Sequence, residues 1–168
     1  MGHHSHRSNA PKSVRIGIIS VSSTRTLETD ESGHWIANGA KEGGHAVTAH
    51  QVVRDDVDAI RRCTRSLLAD PSPQALIVTG GTGITPQDVT IEALRPLFAK
   101  ELTAFAILFT QLSYAEIDSA ALLSRASAGV IGQALIFCIP GSLNACKLAC
   151  RKLIFPELGH LIRHSSGH

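Results

Sequence analysis

Val78-Thr79-Gly80-Gly81-Thr82-Gly83-Ile84-Thr85-Pro86-Gln87-Asp88-Val89-Thr90 is where the chain changes character. The apolar run Ala75 to Val78 has the length and composition of a buried strand, and it stops in glycines and threonines before a helical pattern opens at Thr90. Strand, loop and helix follow in that order. Glycine permits positive φ and close approach of the backbone to a ligand, and a helix N-terminus presents unpaired N–H groups. The physical reading is a cradle for phosphate or carboxylate, with an ordinary tight turn as the plainer alternative. The loop lacks the Lys-Ser/Thr of a Walker A motif. Pro86 stands where the third glycine of G-x-G-x-x-G would be.

Outward from this loop, strands and helices alternate. Val14 to Ser20 reads as a central β-branched strand running into the hydroxyl-rich Ser20-Val21-Ser22-Ser23-Thr24-Arg25, either a ligand loop beyond a strand's C-terminal end or a solvated turn. A helix is predicted from Gly33 to about Glu42, stopped by Gly43-Gly44, then a strand over Ala46 to Val53. Asp55 or Asp56 is placed to cap the next helix, which carries Ile60, Leu67 and Leu68 and ends near Asp70-Pro71-Ser72-Pro73. Downstream, a helix spans Thr90 to about Phe98. Lys100 to Asp118 reads as mainly helical, with Ser113 and Glu116 as a capping box, and Ala120 to Ala126 as helix or strand. Gln133 to Ile139 is a strand closed by Pro140-Gly141-Ser142. A helix follows over Leu143 to Ile154, and Pro156 separates it from a short last helix at Glu157 to Arg163. This alternation predicts an α/β fold, a three-layer α/β/α sandwich with a mostly parallel sheet and right-handed crossovers. A single domain is expected over residues 14–164, between a disordered or tag-like arm at Met1 to Ser13 and a tail at 165–168.

At 168 residues, 43% hydrophobic and 18% charged, the chain has a globular composition. No apolar run nears the roughly 18 residues of a membrane span and no signal core is present, so a soluble cytoplasmic protein without membrane contact is expected. A net charge of +2 and 4% aromatic content argue against a nucleic-acid partner. Cys63, Cys138, Cys146 and Cys150 lack C-x-x-C spacing and read as small core residues. His3, His4 and His6 fall in the arm and His160, His164 and His168 in a similar tail, so neither group is assigned a metal.

At Thr79-Gly80-Gly81-Thr82-Gly83, with Asp88-Val89-Thr90 behind it, the chain resembles the MoaB/MogA family of molybdenum-cofactor biosynthesis. The resemblance continues through Asp30-Glu31-Ser32-Gly33, Val53-Arg54-Asp55-Asp56, Leu112-Ser113-Tyr114, Leu123-Ser124-Arg125-Ala126, Ala128-Gly129 and Pro140-Gly141-Ser142. It implies the molybdopterin-binding fold, binding of molybdopterin, and in active members its adenylylation by Mg-ATP with release of pyrophosphate. By the same resemblance, Thr79, Gly80, Gly81, Thr82 and Gly83 would hold phosphate. Ser124 and Pro140-Gly141-Ser142 would form further walls, and Ser20 and Ser22 would lie on a nucleotide loop. Asp55 and Asp88 would be the catalytic carboxylates and the ligands of Mg²⁺, with Asp56 able to replace Asp55. ATP would be a co-substrate, no tightly bound organic cofactor is implied, and a homo-oligomer, trimer or hexamer, is expected.

Several positions depart from the family pattern. Gln87 replaces an Arg, Ala104 and Ala106 replace glycines, Ile107 an acid and Thr110 an Arg, and Asp118 stands where Gly is usual. The lost charges and added Cβ atoms bear on turnover, so a non-catalytic molybdopterin carrier of the same fold is the second reading.

Overall fold

The computed structural model describes residues 11–69 and 73–166. The first ten residues of the expected arm, the last two of the tail and residues Asp70-Pro71-Ser72, near which the second helix is expected to end, lie outside them. In chain order the elements are β1 (Arg15–Val21), α1 (Glu31–Glu42), β2 (Ala46–Val53), α2 (Val57–Ala69), β3 (Ala75–Thr79), α3 (Thr90–Leu94), β4 (Lys100–Glu101), α4 (Thr103–Ile117), β5 (Ser127–Ile131), β6 (Ala134–Ile139), α5 (Leu143–Ala149) and α6 (Phe155–Ser165).

Three strands are buried on both faces, and the alternation of their side chains separates two cores. Ile16, Ile18, Ala75, Ile77, Leu135, Phe137 and Ile139 face one layer, where Ile36 of α1, Phe105 and Phe109 of α4, and Cys146, Leu158 and Ile162 of the C-terminal helices pack. Ile19, Val21, Leu76, Val78, Ile136 and Cys138 face the other, against Ile60 and Cys63 of α2 and Ile91 and Leu94 of α3. The result is the α/β/α sandwich. All four cysteines are buried and unbridged, as small core residues should be. No helix among the described residues is long and apolar enough to cross a membrane.

The sheet has six strands in the order β2-β1-β3-β6-β5-β4. β2, β1, β3 and β6 pair in parallel, but β5 runs antiparallel to both β6 and β4. The sheet is therefore mostly parallel, as the alternation predicts, with antiparallel pairing confined to β5. β5 is short and begins Ser-Ala-Gly, too weak a pattern to announce itself. It is defined by a two-residue hairpin turn in which Gly132 takes φ +60°.

Other expectations also change. Ser113 does not start a helix, because α4 is continuous from Thr103 and buries Ser113 on the face that carries Phe105 and Phe109. Pro156 does not break the C-terminal helix. It sits in the first turn of α6, and the preceding Cys150–Ile154 is wound as a π-turn. That wider turn absorbs the missing N–H and the clash that a proline imposes on an α-helix. His160 and His164 belong to α6, whose Leu158 and Ile162 are in the core, rather than to a tail. Ala104 and Ala106 occupy ordinary helical positions in α4, so their Cβ atoms bring no strain. Asp118 does: it ends α4 at φ +51°, ψ −139°, and among the described residues it is the one non-glycine with positive φ.

Candidate functional site

The C-terminal ends of β1, β3 and β6 lie side by side, and the loops leaving them surround a cleft of about 500 Å³. The glycine loop is its floor, held by contacts that only glycine allows. Gly80 at φ +94° donates its N–H to Ile139 O at 3.0 Å, and a Cβ there would strike the carbonyl oxygen of Val21. Gly81, at φ +64°, would drive a Cβ to 2.5 Å from Thr90 Oγ1. Thr90 opens α3 and fastens the loop from below, its N–H donating to Gly81 O at 2.9 Å and its hydroxyl to Gly80 O at 2.8 Å.

Asp55, Gly80, Gly81, Thr82, Gly83, Asp88, Ser124, Pro140, Gly141 and Ser22 all line this cleft. Three expected contacts do not. Thr79 is buried and its hydroxyl donates to Pro140 O at 3.0 Å, tying the loop of β3 to that of β6. Ser20 is buried and donates to Asp30. Ser142 caps α5, accepting from Ala145 N at 3.2 Å. Each of these hydroxyls is engaged within the protein, so their role is to build the walls.

The acidic pair is resolved by hydrogen bonding. Asp56 accepts from Ala59 N at 2.8 Å and caps α2, whereas Asp55 turns to the cleft and accepts from Ser23 Oγ at 2.7 Å. Asp88 accepts from the hydroxyl of Thr85 at 2.7 Å and from its N–H at 2.9 Å. The Thr85 hydroxyl, helped by the N–H groups of Thr85 and Gly83 and by Arg125, outweighs partial burial and holds the Asp88 carboxyl below its ordinary range. Asp88 is therefore a preorganised anion at neutral pH.

Behind the cleft lies Asp30, wholly buried. Burial pushes its carboxyl up, but bonds from Ser20, from His50 Nε2 at 2.7 Å and from Gly33 N at 3.0 Å prevail and keep it below the ordinary value. Asp30 thereby joins β1, β2 and the start of α1. Next to it Ser32 donates to Gly141 O at 2.9 Å. On the opposite side, Arg125 donates through Nε to Thr82 O at 3.0 Å and Gly83 O at 3.1 Å, and through Nη1 to Glu92 at 2.6 Å. Sequence reasoning missed the roles of Ser23, Arg25, Glu92 and Arg125, although Ser23 and Arg25 fell in the hydroxyl-rich loop after β1 and Arg125 in the Leu123-Ser124-Arg125-Ala126 motif. Thr85, three residues before Asp88, was missed as well, though it stands in the spacing of a side-chain-to-backbone turn.

Residues 17–160 match the family described as "Probable molybdopterin binding domain". The chain is 48% identical over 159 residues to molybdenum cofactor biosynthesis protein B of Bacillus subtilis, covering 94% of each. This chain belongs to the molybdenum cofactor biosynthesis protein B (MoaB/MogA) family. A crystal structure of a molybdenum cofactor biosynthesis protein B superposes with a TM-score of 0.91 at 44% identity, covering 95% of this chain and 99% of that one. The tungsten cofactor synthesizing protein MoaB from Pyrococcus furiosus gives 0.84 at 34% identity, covering 93% and 99%.

Against the MoaB/MogA pattern, the departures fall in two places. Gln87 lines the cleft, but Ala104, Ala106, Ile107 and Thr110 all lie on α4 and none of them lines it. The drift on α4 therefore removes nothing from the cleft of a single chain. Magnesium prefers oxygen ligands and retains several waters. Asp55 and Asp88, with the hydroxyls beside them, fit such an ion if a ligand's phosphates complete it. Among the described residues no three of His, Cys, Asp and Glu gather into a centre built by protein alone.

Proposed function

We propose that this chain, as a molybdenum cofactor biosynthesis protein, binds molybdopterin in the cleft and adenylylates it with Mg-ATP, releasing pyrophosphate. The observation that carries the proposal is the meeting of the glycine loop, Asp55 and Asp88 in one cleft beyond the strand ends. Gly80 N–H is bonded to Ile139 O and Gly83 N–H serves Asp88, so the N–H groups of Gly81 and Thr82 would be the loop amides left to meet a phosphate. Ser124, Pro140 and Gly141 shape the opposite walls. The terminal phosphate of the pterin would attack the α-phosphorus of ATP, and the chain's part is to hold two polyanions in line. Mg²⁺ held by Asp55 and Asp88 would neutralise charge developing on the phosphates.

Purified protein incubated with molybdopterin, ATP and Mg²⁺ should form the adenylylated pterin. Asp88→Asn should lower the rate at least about 100-fold, the scale of losing an electrostatic group at the reacting centre, while pterin binding persists. Product no greater than in a protein-free control would remove the catalytic claim and leave the carrier reading. The same proposal includes a homo-oligomer. α4 has no single apolar face and exposes Ile107, Leu108, Tyr114 and Ile117, a surface that a second copy would cover. A mass in solution equal to one chain would refute it.

A further inference from the structure

The cleft is lined by two carboxylates and, among the described residues, by one basic side chain, Arg25. A polyanionic ligand entering beside Asp55 and Asp88 needs positive charge, and the other nearby arginine does not supply it. Arg125 is bound to the carbonyls of Thr82 and Gly83 and to Glu92, which turns its donors into the protein. Arg25 has no hydrogen-bond or ion-pair partner for its guanidinium among the described residues, and the residue is exposed.

Its backbone, by contrast, is fixed. Ser22 N donates to Val53 O at 2.8 Å, and Ser22 Oγ accepts from Arg25 N at 3.1 Å and Thr24 N at 3.3 Å, closing a turn around the hydroxyl. Ser23, between them, is tied to Asp55 in both directions: its hydroxyl donates to Asp55 Oδ2 and accepts from Asp55 N at 3.1 Å. The loop after β1 is thus anchored at Ser22 and Ser23 to the end of β2 and the residues just past it, immediately before the position from which Arg25 projects. A rigid backbone carrying an unpartnered guanidinium at the rim of an anion cleft is the arrangement of a ligand clamp, because the planar fork meets two phosphate oxygens at once.

We propose that Arg25 is the phosphate-binding cation of this cleft, recognising a terminal phosphate or pyrophosphate group, while Arg125 only shapes the loop. The proposal rests on reading the cleft as an anion site, and the test separates the two. Inorganic pyrophosphate and metal-free ATP are titrated calorimetrically into the full chain, into Arg25→Gln and into Arg25→Lys. Loss of a charge-assisted hydrogen bond should weaken both ligands about 10- to 100-fold in Arg25→Gln. Arg25→Lys should fall between, since it keeps the charge and loses the fork. Added salt should weaken the wild-type complex more steeply than the Gln variant. Both variants should unfold at the wild-type temperature, because the free protein loses no contact. Wild-type binding with an equally tight Arg25→Gln overturns the assignment of Arg25 and leaves the anion cleft standing. A wild-type chain that binds neither anion overturns the cleft reading itself. Weakened binding accompanied by a lowered unfolding temperature shows Arg25 to be structural and also overturns the proposal.

Discussion

Arg125 holds the glycine loop from outside, and replacing it should loosen the loop more than the visible ion pair suggests. The Arg125–Glu92 pair is solvent-accessible, with side chains 37% and 50% exposed, so screening limits it to about 0.2–1 kcal/mol. The Nε–H shared by Thr82 O and Gly83 O is different in kind, because it ties the side chain to the backbone of the glycine loop itself. At about 1–2 kcal/mol net for the one Nε–H that the two carbonyls share, Arg125→Ala should cost about 1–3 kcal/mol in all. Glu92→Gln should cost only about 0.5 kcal/mol. In urea the first variant should shift the midpoint without changing the slope, and in a thermal melt it should unfold about 2–12 °C lower. Arg125→Lys should recover part of the loss, since one ammonium reaches Glu92 or a carbonyl but not the whole set. The Glu92 carboxyl, which the Arg125 hydrogen bond holds below its ordinary range against partial burial, should titrate higher in Arg125→Ala. Equal destabilisation by Arg125→Ala and Glu92→Gln would refute this reasoning, for it would leave nothing to the carbonyl bonds.

Gly80→Ala should prevent the loop from closing, at a cost of several kcal/mol or loss of soluble protein, because the added methyl meets the Val21 backbone and the residue stands at positive φ. Expression yield and denaturant midpoint would show it. Asp118→Gly should stabilise by about 0.5–1 kcal/mol, relief of the positive-φ backbone exceeding glycine's entropy cost. An unchanged or lowered urea midpoint would contradict that. Asp30 links stability to pH: its folded carboxyl lies below its unfolded value, so the stabilisation is complete above about pH 4 and fades as pH falls through the folded value. Asp30→Asn should therefore be less stable at pH 7 and lose less stability between pH 5 and pH 2 than the wild type. Equal slopes across that range would argue against a charged Asp30.

The central strands and the glycine loop were legible because their information is local. Arg15–Val21, Ala75–Thr79 and Ala134–Ile139 are largely apolar or β-branched runs, and the loop's glycines declare a special backbone. β5 was not legible, since Ser127 to Ile131 is small, short and defined by its partners. Pro156 misled for a related reason: a proline's local rule is to interrupt, and the π-turn that accommodates it depends on packing of the whole C-terminal helix.

The division is sharpest at the site. By itself the sequence determined the layered α/β class, the position of the loop and the presence of Asp55, Asp88 and Ser124 on chain segments that end near it. The class and the loop are matters of periodicity and residue type, which short windows contain, whereas Asp55, Asp88 and Ser124 were marked by the resemblance to the MoaB/MogA family. Only the tertiary structure decided that Asp55 rather than Asp56 faces the cleft, that Thr79, Ser20 and Ser142 are wall supports, and that Arg125 is engaged while Arg25 remains open. Each of these depends on which partner a polar group finds. Ser23 and Asp55 are 32 positions apart, Thr79 and Pro140 61, and Arg125 and Thr82 43. Pairings at such separation are set by strand order and loop closure, so they exist only once the chain has folded.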